Sequence, residues 1–213
     1  MVRTGARATV LGDLVAQTGL RPADKKPKVP RQASLPPAAS TDILDLYHRL
    51  GGALATPSFR SGPWDLAFEG DIVVELDEEL HFNRYRLLTL ETSWYRGVGW
   101  VHAYRRFCAQ NEGKCLTAGD WGKRWTSPSC ERMFGAPGPA GQLDGAGAPR
   151  WKQRALYDTI KDLAPLTTPL RVVRLSVYDR VAERTLADCL HSPASTDISA
   201  LGTLLDERIG YDP

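Results

Sequence analysis

The sequence of 213 residues has no long apolar run. No segment approaches the roughly 20 consecutive apolar residues that a membrane-spanning helix needs. The N-terminus also has no apolar core of the kind that marks a secretory signal. We therefore expect a cytoplasmic protein without membrane association. The net charge of +2 is too small to indicate nucleic-acid binding by itself.

Several motifs of well-known enzyme classes are missing. No G-x-G-x-x-G or G-x-x-x-x-G-K-[ST] loop follows a strand-like segment, which argues against the nucleotide-binding folds that depend on those loops. The motifs G-x-S-x-G and H-E-x-x-H are absent as well. The four cysteines form no C-x2-4-C pair, so they are interpreted as buried apolar residues or free thiols, with zinc binding as the weaker alternative. They are Cys108, Cys115, Cys130 and Cys189.

The first 40 residues differ in composition from the rest. They hold seven basic and two acidic side chains, and residues 21–40 are rich in Pro, Lys and Ala. We predict a flexible, Pro-rich N-terminal arm over 1–40, with one short amphipathic helix within 6–20. Its basic side chains are interpreted as residues that keep the arm solvated. The functional alternative is an arm that lies along a phosphate backbone.

The remainder, 41–213, is predicted to be one α/β domain around a mixed sheet. Ser40 or Thr41 is expected to cap its first helix. Two short strands with a two-residue turn at Glu69 and Gly70 should follow. The pattern then predicts helices over 80–110 and 150–164, a strand over 170–179 and a last helix over 195–208. The Gly/Pro-rich segment 111–149 is predicted to be a loop-like insertion.

Three carboxylates lie on the predicted hairpin. Glu75 and Asp77 point to the same face of their strand because side chains alternate along it. A two-residue turn pairs Asp65 with Val74, and a register shift of one residue moves it beside Glu75. Carboxylates on an apolar strand repel one another, and a hard divalent cation offsets this cost. The hairpin therefore predicts a Mg²⁺ site that could also take Mn²⁺. In the plainer alternative, Asp65 caps a loop and the other two pair with arginines.

The segment WDLAF-EG-DIVVELDEELHF resembles the core of the PD-(D/E)XK nuclease superfamily. It is most similar to the Glu-x-Asp branch related to very-short-patch-repair endonucleases. The resemblance implies a restriction-endonuclease-like αβββαβ core whose mixed central sheet is flanked by helices. It also implies that Asp65 and Glu75 are metal ligands. Asp77 stands where the common signature has Lys, and the resemblance implies that it is a further ligand.

The resemblance extends to residues beyond the hairpin. It implies that His81 positions or deprotonates the attacking water, although a surface position near a helix start is the alternative. As an alternative to His81, the basic role of the missing Lys is expected to fall to Arg84 or to Lys152. Nucleic-acid contacts are predicted for a set of polar side chains, with a solvated helix face as the alternative for the last two. This set is Arg84, Lys123, Arg124, Gln153 and Arg154.

These observations predict a Mg²⁺-dependent endonuclease that hydrolyses phosphodiester bonds in DNA, in DNA repair or phage defence. One alternative is a catalytically inactive nuclease-fold protein that binds nucleic acid or a protein partner. Another is an α/β enzyme that uses a metal on a small phosphate-containing substrate. A protein partner or a homodimer is compatible with each of them.

Overall fold

The structure is a computed structural model, and it describes residues 5–119 and 124–209. The chain forms two compact units. Unit 1 comprises Met1–Val29, Pro63–Glu78 and Thr168–Pro213, and unit 2 comprises Pro30–Gly62 and Glu79–Thr167. Among the described residues, no helix combines the length and the apolar character needed to cross a membrane.

Unit 1 contains a mixed three-stranded sheet in the order β1-β2-β3. Strand β1 (Leu66–Phe68) is antiparallel to β2 (Ile72–Asp77), and β3 (Arg171–Ser176) is parallel to β2. Every residue of β2 is buried, as its apolar sequence predicts for a central strand. Strands β4 (Arg180–Val181) and β5 (Arg184–Thr185) form a separate small hairpin.

In its described part, unit 1 contains the helices α1 (Ala6–Gln17), α7 (Leu186–His191) and α8 (Ile198–Ile209). Helix α8 packs against β3, and α1 packs against α7 and α8. The buried residues Leu11, Leu14 and Val15 form the inner face of α1, at the i, i+3, i+4 spacing of an amphipathic helix.

Unit 2 is helical. It contains α2 (Pro37–Arg49), α3 (Arg84–Leu90), α4 (Val101–Gly119), α5 (Pro128–Phe134) and α6 (Pro149–Asp162). Helix α6 lies at its centre and contacts α2, α3 and α5.

Close packing around Trp151 links the helices of unit 2. Trp151 is fully buried on α6 and makes an edge contact with Trp125 at 5.1 Å between ring centroids. A Cβ atom at Gly119 would lie 2.2 Å from Cζ2 of Trp151, so α4 needs a glycine at this crossing. The four cysteines, all within the described ranges, are buried and form no disulfide bond, which fits their interpretation as small apolar residues.

The α/β class is confirmed, with a small mixed sheet and flanking helices. In the described ranges this sheet has three strands, whereas the αβββαβ order has four. Residues 21–23 lie along the free edge of β1. There Ala23 N donates to Ala67 O at 3.0 Å, and Glu69 N donates to Arg21 O at 2.8 Å. This part of the predicted flexible arm is therefore held by backbone hydrogen bonds.

Three local predictions were wrong. The first helix of 41–213 was expected to begin at a Ser40 or Thr41 cap, but α2 begins at Pro37, because proline at the first helical position has no N–H to satisfy. The segment 111–149 is not a loop throughout, since α4 continues to Gly119 and α5 lies within it. The hairpin turn has three residues, 69–71, because both Gly70 and Asp71 adopt positive φ angles.

Candidate carboxylate site

Asp65 and Glu75 occupy opposing positions on the β1–β2 hairpin. The longer turn pairs Leu66 with Val74, and extending this register by one residue sets Asp65 opposite Glu75. Asp65 N donates to Glu75 Oε1 at 3.1 Å, and Leu76 N donates to Asp65 Oδ2 at 2.9 Å. Glu75 is buried, whereas Asp65 is partly exposed. The two carboxylates are thus each held by the backbone of the opposite strand.

Asp77 is paired with an arginine from the neighbouring strand. Nη1 of Arg174 lies 2.7 Å from Oδ1 and 3.0 Å from Oδ2 of Asp77. Both residues are almost completely buried, and Arg174 lies beside Glu75 in the parallel register of β2 and β3. Asp65, Glu75, Asp77 and Arg174 therefore share one face of the sheet. The charge of Asp77 is compensated within unit 1, as the plainer alternative expected.

A second ion pair follows the end of β3. Asp179 Oδ2 accepts a hydrogen bond from Ser176 N at 2.7 Å, and its Oδ1 accepts one from Arg208 Nη2 at 2.9 Å. Burial raises the pKa of Asp179, and the negative charge of Asp77 raises it further, while Arg208 and the Ser176 N–H act in the opposite direction. This end of the sheet therefore concentrates carboxylates, and two buried arginines compensate part of their charge.

In unit 2, His81 is hydrogen bonded to Asp158. Nδ1 of His81 lies 2.9 Å from Asp158 Oδ2, and the two side chains are 18% and 7% exposed. His81 is the last residue of a short 3-10 helix, Glu79–His81, and Asp158 lies on α6. The carboxylate fixes the orientation of the ring, which is what a general base or a metal ligand requires.

Lys152, predicted as a substitute for the motif Lys, lies on α6 in the interior of unit 2. It is 6% exposed, and its Nζ lies 5.5 Å from the centroid of the Tyr85 ring. Burial lowers the pKa of Lys152. The backbone of Gly51 approaches the same amine closely, since a Cβ built there would lie 3.3 Å from Nζ.

The next two residues of α6 were predicted to contact nucleic acid. Gln153 is buried, and its Oε1 accepts from Arg150 Nη1 at 2.6 Å and from Cys130 Sγ at 3.3 Å. Arg154 is partly buried and donates to Leu80 O at 3.1 Å. Both side chains make contacts within unit 2, and their contact with nucleic acid stays a prediction.

The remaining predicted nucleic-acid contacts are arginines and one lysine. Arg84 pairs with Glu112 Oε2 and Asp144 Oδ1, each at 2.9 Å, and the hydrogen bond to Glu112 raises the pKa of Arg84. Arg124 is exposed and donates to Ala118 O at 2.8 Å. Lys123 lies outside the described residues.

The sequence analysis does not single out Arg174 or Asp158, although each position carries a signal. Arg174 interrupts an apolar strand, and an arginine at a buried strand position requires a buried acidic partner. Asp158 lies seven residues after Trp151 and three residues after Ala155 on α6, so it falls on the buried face of that helix.

Comparison with known proteins identifies the family of the chain but no activity. No curated protein and no solved structure gave a significant match. One family model, described as a family of unknown function (DUF7255), matches residues 45–192. The matched region includes the β1–β2 hairpin, β3 and the His81–Asp158 pair. Because this match spans more than half of the 213 residues, the chain belongs to the DUF7255 family.

Proposed function

We propose that this protein is a metal-dependent endonuclease that hydrolyses phosphodiester bonds in DNA. The observation that supports the proposal most strongly is the opposition of Asp65 and Glu75 across the β1–β2 hairpin, where each carboxylate is held by the other strand. The resemblance of this hairpin to the PD-(D/E)XK core assigns the two residues to metal binding. The same resemblance suggests DNA repair or phage defence as the setting.

The donor set suits a hard divalent cation. Asp65 and Glu75 both carry carboxylate oxygens, and oxygen is the ligand atom that Mg²⁺ and Mn²⁺ prefer. We assign these two residues as the ligands. When bound, such an ion supplies an activated water and charge stabilisation at the phosphate.

Two other polar residues are assigned roles. The resemblance assigns to His81, which Asp158 holds, the role of accepting a proton from the attacking water. Arg174 compensates Asp77 inside the sheet and keeps a positive charge beside Glu75. Its contribution is electrostatic, as would be that of the Lys in the common motif.

The contacts of Asp77, Asp65 and Glu75 also favour a second function. Both oxygens of Asp77 accept from Arg174, and one oxygen each of Asp65 and Glu75 accepts a backbone N–H. Such contacts also suit a carboxylate cluster with a purely structural role. The alternative is therefore a catalytically inactive nuclease-fold protein that binds nucleic acid or a protein partner.

Cleavage assays separate the two functions. The full-length protein is incubated with supercoiled plasmid and with a labelled single-stranded oligonucleotide, in Mg²⁺, in Mn²⁺ and in EDTA. We expect cleavage with either metal and none in EDTA. Asp65→Asn and Glu75→Gln should abolish it while keeping an oxygen for the backbone hydrogen bonds. Glu69→Gln, on the exposed turn of the same hairpin, is the matched control and should cleave as the wild type does.

Two outcomes would reject the nuclease. One is equal cleavage by the wild type and both carboxylate variants, which would indicate a contaminating enzyme. The other is no cleavage with any metal while the protein still binds the oligonucleotide, which would support the inactive alternative.

A further inference from the structure

Lys152 is a buried lysine whose amine has no acidic partner. It lies on α6 within unit 2, and 6% of its surface is exposed. The amine makes no hydrogen bond or ion pair with any part of the chain that the structure describes. By contrast, three buried arginines each pair with a carboxylate. These pairs are Arg86 with Asp162, Arg174 with Asp77 and Arg208 with Asp179. Lys152 therefore lacks the partner that a buried charge normally has.

The surroundings of this amine favour its neutral form. Nζ lies 5.5 Å from the centroid of the Tyr85 ring, whose face compensates a positive charge less well than a carboxylate does. Burial lowers the pKa of Lys152, and no charge of the described residues contributes to this effect. A neutral amine has a free electron pair and is therefore a nucleophile, as are the desolvated lysines that form Schiff bases in enzymes.

A space of about the size of one carbon atom lies beside the amine. A Cβ atom at Gly51 would lie 3.3 Å from Nζ of Lys152. Apart from the chain neighbours of Gly51, no other heavy atom of the described residues lies within 4 Å of that position. Gly51 follows the C-terminal end of α2 with a φ of +85°, a conformation that favours glycine. The fold therefore leaves room next to a buried nucleophile.

We propose that Lys152 is a covalent binding site for a small aliphatic aldehyde. The electron pair of Nζ attacks the carbonyl carbon and forms a C–N bond. The carbonyl oxygen then leaves as water with the two amine protons, so the product is an imine and no oxidant or reductant is consumed. The small exposed area of Lys152 restricts the reactant to a few carbon atoms. The site is independent of the proposed metal ligands, because those residues belong to unit 1.

Reductive labelling tests the site in the full-length protein. The protein is incubated with acetaldehyde and sodium cyanoborohydride at neutral pH, and peptide mapping by mass spectrometry measures the rate of ethylation at each lysine. Lys152 should be labelled at least about fivefold faster than the exposed Lys28. The N-terminal amine also reacts near this pH, and the mapping separates it from Lys152. In concentrated guanidinium chloride the two lysines should react equally, because unfolding removes the burial of Lys152.

A matched pair of glycine variants tests the space beside the amine. Gly51→Ala places a methyl group 3.3 Å from Nζ and should slow the labelling of Lys152 at least about threefold. Gly97→Ala is the control, because Gly97 has the same φ of +85° but no heavy atom of the described residues lies within 4 Å of its Cβ position. Its Lys152 should be labelled as in the wild type. Pyridoxal, a larger aromatic aldehyde, should label Lys28 but not Lys152.

Three results would overturn the proposal. One is labelling of Lys152 no faster than that of Lys28 in the folded protein. Another is equal labelling of Lys152 in Gly51→Ala and Gly97→Ala, with both proteins folded by circular dichroism. The third is labelling of Lys152 by pyridoxal as fast as by acetaldehyde, since local unfolding would then explain the access. If Gly51→Ala does not fold, the two aldehydes and the guanidinium control decide the question on the wild type.

Discussion

Arg174 lies on the strand next to Asp77, and one of its nitrogens contacts both carboxylate oxygens, at 2.7 and 3.0 Å. Both residues lie in the interior of unit 1. Burying two charges costs free energy that their attraction must offset. The ion pair therefore fixes the position of Asp77 beside the two carboxylates that we assign to metal binding.

Removing Arg174 should destabilise the protein strongly. The variant Arg174→Met leaves Asp77 buried without its compensating charge, which typically costs about 3–5 kcal/mol. The free energy of unfolding from urea titration measures this loss. Arg171→Met is the matched control, because Arg171 lies at the exposed start of β3 and its guanidinium donates to Gly70 O at 2.9 Å. Its loss should stay within about 1 kcal/mol.

A double variant shows whether the loss arises from the uncompensated charge. Asp77→Leu combined with Arg174→Met removes both charges and should recover a large part of the stability that Arg174→Met loses. A loss for Arg174→Met no larger than that for Arg171→Met would contradict the importance of this pair.

His81 and Asp158 should act as one unit in catalysis. His81→Ala and Asp158→Asn should each lower kcat by roughly 10²-fold or more, since a positioned base contributes about 10²–10⁴-fold. The double variant should lose little more than the worse single variant, because each change disables the same unit. Single-turnover cleavage rates measure the effect. Additive losses in the double variant would indicate that the two residues act independently.

The buried Lys152 should make stability depend on pH. Burial lowers the pKa of Lys152 below the ordinary lysine value of 10.5, so the folded protein releases this proton at a lower pH than the unfolded chain. Between these two pKa values the unfolded chain binds more protons, and the free energy of unfolding therefore rises with pH. Wild type should gain stability relative to Lys152→Met as pH increases from 7 towards 10. Urea titrations at several pH values measure this difference, and a constant difference would contradict it.

Gly147 is predicted to tolerate no side chain. Its φ angle is +58°, and a Cβ atom there would lie 1.8 Å from Oη of Tyr85. The Tyr85 hydroxyl donates a hydrogen bond to Leu143 O at 3.1 Å. Gly147→Ala should cost more than about 2 kcal/mol through strain and displacement of Tyr85. Gly145→Ala is the control, with φ of +65° and open space, and should cost about 1–2 kcal/mol. Thermal unfolding compares the two, and equal losses would show that the Tyr85 contact is unimportant.

The acidic hairpin was predictable from the sequence to within one residue of register. Alternation along β2 set Glu75 and Asp77 on one face, and its apolar residues indicated a central strand. The turn length was predicted wrongly because Asp71, a residue with a side chain, adopts a left-handed conformation beside Gly70. That third turn residue is what brings Asp65 opposite Glu75.

The ion pairs were beyond prediction from local pattern alone. Arg174 is 97 residues from Asp77 along the chain, and Asp158 is 77 residues from His81. Their pairing follows from the parallel register of β2 with β3 and from the packing of α6. Neither pairing can be predicted from the spacing of the residues in the sequence. A buried charge at each position was predictable, but not its partner.

Mn²⁺ binding tests the central claim most directly, namely that Asp65 and Glu75 are the metal ligands. Electron paramagnetic resonance titrations compare the wild type with Asp65→Asn, Glu75→Gln and the turn control Glu69→Gln. We predict a saturable site in the wild type and in Glu69→Gln. Asp65→Asn and Glu75→Gln should each weaken it by at least about tenfold. Equal Mn²⁺ affinity in all four proteins, or no saturable site in the wild type, would contradict the claim.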